Sequence, residues 1–361
     1  MTVFRRRPAL RWLVPLVAVV LLAAGGSAVG MITATARGGL PERSAAALLV
    51  DVQKARLDGL SGTIVQNAEL GLPSLPGVGG AGSSDLSSMV AGSHTLRLWY
   101  AGPDHVRVAL LGSLGESDVV RNGTDLWTWS SAQRSATHRT VPASTGDEPH
   151  SLAEASPMTP QQAADAALKA ISPTTRVSTD GTAVVAGRPA YELLLQPRDA
   201  RSLVGSVRIA IDGKTHVPTR VQVFADTGEQ PAFEVGFTSF DPTRPPTSVF
   251  RFNPPPGTKV TEARADAEER SGRHDREASG PRPRIVGSGW TTVVVARVPS
   301  GDPSAPNPMT RALRVLPKVS GSWGSGRLLR GTLFSALLTD DGRVAVGAVA
   351  PDRLYSALAG R

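Results

Sequence analysis

Val119-Val120-Arg121-Asn122-Gly123-Thr124-Asp125-Leu126-Trp127-Thr128-Trp129 is the stretch whose reading decides the fold class. Two strand-like runs flank Asn122-Gly123, a pair that favours the left-handed backbone of a tight hairpin, so antiparallel strands are expected over 117–121 and 126–130. Trp127 and Trp129 stand two apart on the second strand and therefore face the same side. Two readings of this pair remain open: ordinary core beneath the sheet, or the lining of an apolar cavity. Outward from the hairpin, further strands are expected over 60–68, 95–101, 105–111 and 136–141.

A second series occupies 176–240, with strands over 190–195, 205–211, 219–225 and 232–240. Val207, Ile209 and Ile211 alternate with Arg208 and Ala210, and Phe233, Val235 and Phe237 alternate with Glu234 and Gly236. One face of this series is apolar throughout. Helices are fewer. Residues 41–58 carry Leu48, Leu49, Val52 and Ala55 at helical spacing, with Pro41 suited to the first turn and Gly59 to the stop. Thr159-Pro160-Gln161-Gln162 has the form of a capping box opening a helix to about Ile171. Two helices cannot cover about nine strands on both faces, so concave apolar surface is expected.

Residues 71–92 contain six glycines and read as a long loop; the Gly77-x-Gly79-x-x-Gly82 inside it lacks the strand and helix that a dinucleotide site requires. Residues 258–284 hold 13 charged side chains in 27 and read as a solvated linker, the boundary between a domain over 41–257 and a small α/β piece over 285–361. That piece should carry a β-rich run over 285–298, a hairpin turning at Asp340-Asp341-Gly342 between 333–338 and 344–349, and a last helix opened by Pro351-Asp352. Folding alone and docking on the first domain both remain open for it.

Arg5, Arg6, Arg7 and Arg11 precede an uncharged stretch over 12–36, the charge order of an exported chain. Ala34-Thr35-Ala36 fits cleavage, while 25 uncharged residues fit a membrane anchor; either places the roughly 325 residues that follow outside the cytoplasm. With 40% hydrophobic and 19% charged residues the chain is not disordered, and a mean hydropathy of −0.08 excludes a multi-span membrane protein. The lack of cysteine excludes disulfides, thiol catalysis, cysteine zinc sites and lipid attachment at an N-terminal cysteine. The net charge of +8 comes from 34 arginines and 5 lysines spread along the chain, which points away from nucleic acid.

Catalytic patterns are missing. No two of His94, His105, His138, His150, His216 and His274 have metal-ligand spacing on one element, and no Gly-x-Ser-x-Gly occurs. Asp340-Asp341 beside Gly342 reads as a turn, and Glu268-Glu269 as solvated charge. The chain is therefore expected not to be an enzyme and to need no cofactor or metal.

Four stretches in order carry a resemblance: Leu98-Trp99-Tyr100-Ala101-Gly102-Pro103 with His105-Val106-Arg107-Val108; the opening hairpin; Tyr191-Glu192-Leu193-Leu194-Leu195-Gln196-Pro197; and Phe250-Arg251-Phe252-Asn253-Pro254-Pro255-Pro256-Gly257-Thr258-Lys259-Val260. Together they resemble the LolA-type lipoprotein carrier and localisation fold, shared with RseB/MucB-type envelope-stress sensors. The resemblance implies a mainly β (α+β) fold, an incomplete antiparallel β-barrel covered by helices around a hydrophobic cavity. On it, Leu98, Trp99, Val108, Leu110, Trp127, Trp129, Ile209, Ile211, Val221, Val223, Phe233, Val235 and Phe237 would line the cavity. The implied ligand is a lipoprotein acyl chain or another lipid, with membrane contact through the N-terminal segment. The implied alternative is a sensor whose C-terminal piece contacts a membrane-bound anti-sigma regulator; an exported hydrolase is a third reading. Carriers of this type latch their lid with an arginine at the position of Gly102, which this chain lacks.

Overall fold

The structure, a computed structural model, describes residues 40–72, 92–113, 115–143, 173–263, 283–297 and 315–360. The expected N-terminal segment over 12–36, the capping-box helix from Thr159 and most of the glycine-rich loop lie outside the described residues. No helix among the described residues is long and apolar enough to cross a membrane.

The fold is mainly β, an open half-barrel. Helix α1 (Ala45–Lys54) comes first, then β1 (Leu60–Ala68), β2 (Gly92–Tyr100), β3 (His105–Gly112), β4 (Gly115–Asn122), β5 (Asp125–Ser130) and β6 (Ser135–Thr140). Next come β7 (Thr175–Val185), β8 (Arg188–Pro197), β9 (Val204–Asp212), β10 (Pro218–Ala225), β11 (Pro231–Asp241) and β12 (Lys259–Ala263). These twelve form one sheet in the order β12-β6-β5-β4-β3-β2-β1-β11-β10-β9-β8-β7. Strand β12 alone is parallel to its neighbour β6; the other pairs are antiparallel.

A second, six-stranded sheet orders β13 (Arg284–Val286), β14 (Val293–Arg297), β18 (Arg343–Gly347), β17 (Ser335–Thr339), β16 (Gly324–Arg330) and β15 (Lys318–Gly321). Helix α2 (Pro351–Leu358) buries Leu354, Ala357 and Leu358 against Val293, Val295, Leu328, Leu337 and Ala345 of that sheet.

Several expectations are corrected in detail. Helix α1 begins after Ser44, whose hydroxyl accepts from the Ala47 amide at 3.2 Å, so the cap sits three residues beyond Pro41. The Pro41 carbonyl instead accepts the Tyr191 hydroxyl at 3.0 Å. The opening hairpin turns on Gly123 and Thr124, because Asn122 already pairs with Asp125 and Gly123 takes φ +65°. Both ends of the charged segment leave the linker and join sheets: Lys259–Ala263 forms β12, and Arg284 starts β13. Polar side chains there mask backbone pairing, since a strand exposed on its edge needs no apolar alternation. Strands β7, β15 and β16 are not individually marked by the sequence pattern. Asp340-Asp341-Gly342 does turn the last hairpin, with Gly342 at φ +81° and the Asp341 carboxylate holding Thr339 and Arg343.

The C-terminal sheet docks on the first. Trp290, Leu333 and Ala348 pack with Ala68, Val204, Val207, Val223 and Phe233. Backbone bonds reinforce this seam, from the Leu203 amide to the Ala348 carbonyl at 2.9 Å and from the Thr332 amide to the Leu70 carbonyl at 2.8 Å.

Candidate binding face of the half-barrel

Residues opposite each other in antiparallel strands point to the same side of a sheet. Following the register from β8 to β3 therefore assigns each residue a face. Leu193 pairs with Ile209, Ile209 with Val221, Val221 with Val235, Val235 with Gln66, and Gln66 with His94. Leu96, two residues beyond His94, pairs with Leu110, and Leu98 with Val108. Helix α1 lies on this side, where Leu48 and Leu49 pack with Tyr191, Leu193 and Ile211, so it is the inner face.

Ten of the thirteen expected lining residues share it: Leu98, Val108, Leu110, Ile209, Ile211, Val221, Val223, Phe233, Val235 and Phe237. The β8–β9 end of the face is covered by α1, and its β9–β11 stretch by Trp290, Leu333 and Ala348. Leu110 and Ile211 are fully buried, whereas Leu98, Val108 and Phe237 remain half-buried.

Trp99, Trp127 and Trp129 stand on the opposite, outer face. Trp99 pairs with Arg107, Arg107 with Val120, Val120 with Trp127, Trp127 with His138, and His138 with Glu262. The two indoles that share a face are thus separated from the inner face by the thickness of the sheet. A strap formed by residues 244–258 crosses over them. Phe252 lies 5.3 Å from the Trp127 ring and 6.2 Å from the Trp129 ring, and Phe250, fully buried, meets the His105 ring edge-on at 5.7 Å. The strap carries the Phe-x-Phe-x-Pro-Pro stretch and leads directly into β12.

The outer face is otherwise held by charge. Arg107 pairs with the buried Asp118, donates to the Val249 carbonyl of the strap at 3.3 Å, and lies 5.5 Å above Trp99. Burial, followed by the neighbouring Asp118, pushes the Glu116 carboxyl above its ordinary value. Arg188 grips Asp212 with two bonds of 2.6 and 2.9 Å, and the Thr215 amide and hydroxyl add bonds of 2.8 and 2.9 Å. Burial alone raises the Asp212 pKa, but these bonds outweigh it and hold it at about 2. His138 bridges Asp125 at 3.0 Å and Glu262 at 2.8 Å, tying β5, β6 and β12 together. Partial burial lowers the His138 pKa, yet the two carboxylates raise it further, and the net shift is upward.

Sequence reasoning missed Gln66 and the Glu116-x-Asp118 pair. Period-two spacing marked both: Gln66 shares its face with Ile64 and Ala68, and Glu116 with Asp118. At Gly102 the backbone takes φ +100°, where any L side chain is strained, so an arginine latch is sterically disfavoured at that position.

No protein-family model and no curated protein matches this chain. Solved structures do. The chain is similar to MucB and to LolA-superfamily structures. The Pseudomonas aeruginosa MucA/MucB complex aligns at 16% identity over 87% of this chain and 96% of that one, with a TM-score of 0.41. A LolA superfamily protein from Nitrosomonas europaea aligns at 10% identity over 58% and 99%, with a TM-score of 0.21. An uncharacterized conserved protein from Thermus thermophilus aligns at 12% identity over 60% and 97%, with a TM-score of 0.34. Likeness at this level carries nothing about ligand or partner, which must be argued from this chain's own residues.

Proposed function

We propose that this chain is a non-catalytic, extracytoplasmic binding protein whose half-barrel holds a lipid or a lipoprotein acyl chain against its inner face. The observation that carries this reading is the apolar path from Ile211 across Val221, Val235 and Phe237, through Ile64 and Leu96, to Leu98, Val108 and Leu110. Each methylene withdrawn from water onto such a surface contributes about 0.8 kcal/mol, so a chain of roughly ten contributes about 8 kcal/mol without covalent chemistry. Export rests on the arginine cluster before residues 12–36, retained as an anchor or removed at Ala36. The half-barrel sheet through β12 forms the binding unit, and the six-stranded sheet with α2 an appended one.

A fluorescent fatty-acyl probe tests the reading directly. Leu98→Asp and Val108→Asp, each at a half-buried site, are expected to abolish probe uptake, while Trp127→Ala on the outer face leaves it unchanged. Uptake by the two aspartate variants at the wild-type level would sink the proposal.

A second reading, a regulator that contacts a membrane-bound anti-sigma partner, is favoured by one feature. Ile285, Val294 and Val346 pair across β13, β14 and β18 on the side away from α2, and are 50%, 41% and 38% exposed. Capture of a membrane protein by the full chain, lost in Val294→Asp, supports this role; equal capture by that variant argues against it.

A further inference from the structure

Gln66 is a buried polar residue on the inner face. It sits on β1, between His94 on β2 and Val235 on β11, with Ile64 and Ala68 before and after it on the same side. Its side chain is wholly buried, and neither its amide nitrogen nor its amide oxygen has a hydrogen-bond partner among the described residues. Other buried polar groups differ from it. His94, its buried cross-strand neighbour on the same face, has an interaction of its own. Arg107 and Asp118 lack a partner at one atom each but bond to one another through others, and Asn67, Ser93 and Trp129 are only half-buried and stand on the outer face. An enclosed primary amide with both functions idle is costly unless something supplies the missing acceptor and donor.

We propose that Gln66 is a polar anchor selecting ligands whose apolar chain carries a secondary amide. Its nitrogen donates to the ligand carbonyl and its oxygen accepts the ligand N–H, so one group satisfies both atoms. An ester supplies only the acceptor and leaves the Gln66 oxygen unpaired, and a hydrocarbon chain supplies neither. The ligand class is therefore an N-acylated amine, such as an amide-linked lipid or an N-acylated peptide terminus. This rests on the acyl-binding reading above and adds its linkage chemistry.

The test displaces a fluorescent fatty-acyl probe from the full chain with two competitors of equal length, N-propyl dodecanamide and propyl dodecanoate. Wild type is expected to prefer the amide by about tenfold, the scale of one added buried hydrogen bond. Gln66→Leu, or Gln66→Met where the leucine variant folds poorly, is expected to bind the two within about twofold of each other. Equal binding by wild type, or a preference that survives in these variants, overturns the anchor while leaving acyl binding intact. Failure of the fluorescent probe itself to bind overturns both.

Discussion

The two faces of the twelve-stranded sheet solve the same problem, covering a broad β surface, with opposite chemistry. The inner face is largely apolar, with Gln66 and His94 among its buried polar residues, and is covered in part by α1 and in part by the C-terminal sheet. The outer face is stitched by Arg107–Asp118, Arg188–Asp212 and Arg220–Glu192 and closed at one end by the phenylalanine strap. Directional ion pairs and stacked rings fix geometry, whereas apolar contact is non-directional and tolerates an exchanged occupant. The difference teaches that directional contacts fix the outer face, while the inner face is the one that the proposed ligand would occupy.

Four substitutions break or sharpen that contrast. The largest effect is expected at Leu110 on the inner face, where truncation to alanine removes a fully buried side chain; Leu110→Ala should cost about 3 kcal/mol in urea unfolding. Next comes Asp212→Asn on the outer face, which leaves Arg188 without its carboxylate and should cost about 2 kcal/mol. The sign of its pH dependence follows from a folded pKa held below the unfolded one. The contribution of Asp212 is present above about pH 4 and lost as pH falls through about 2, so urea midpoints of wild type and variant should converge in acid.

Phe252→Ala opens the strap. A cost of about 1 kcal/mol is expected, smaller than for an enclosed phenylalanine because Phe252 is half-buried, with a red shift of tryptophan emission as Trp127 and Trp129 meet water. Unshifted emission would show that the strap does not shield them. The smallest effect belongs to His138. Its pKa is raised in the fold, so its hold on Asp125 and Glu262 is fully present below about pH 6.5 and weakens as pH rises through the folded value. Proton titration of the His138 ring by NMR should give a pKa above that of the unfolded chain, and Glu262→Gln should lower it.

Much of the half-barrel was legible because its strands alternate. Strand β1 matches the expected 60–68 span, and the apolar sides of β9 and β11 fall on one face as their spacing implied. Strands rich in charge were not. Lys259–Ala263 reads as solvent-exposed linker, and only its pairing with Ser135–Arg139 makes it a strand. The candidate site was legible as a residue class but not as one surface. Trp99, Trp127 and Trp129 are as apolar as their supposed companions, and nothing local to them reveals which side of the sheet they occupy.

The sequence by itself determined the antiparallel architecture, the scarcity of helix, the Asp340-Asp341-Gly342 turn and the apolar side of each well-alternating strand, because period-two spacing and turn geometry are local properties. Only the tertiary structure decided which of those sides are joined into one face, that the Phe250–Phe252 stretch covers two tryptophans, that Trp290 and Leu333 cap the β9–β11 surface, and that Gln66 is enclosed without a partner. Those outcomes depend on register between strands far apart in the chain, as in the bond from the Thr63 amide to the Ser239 hydroxyl across 176 residues. No local preference encodes such a register; it is fixed when the apolar faces close on one another.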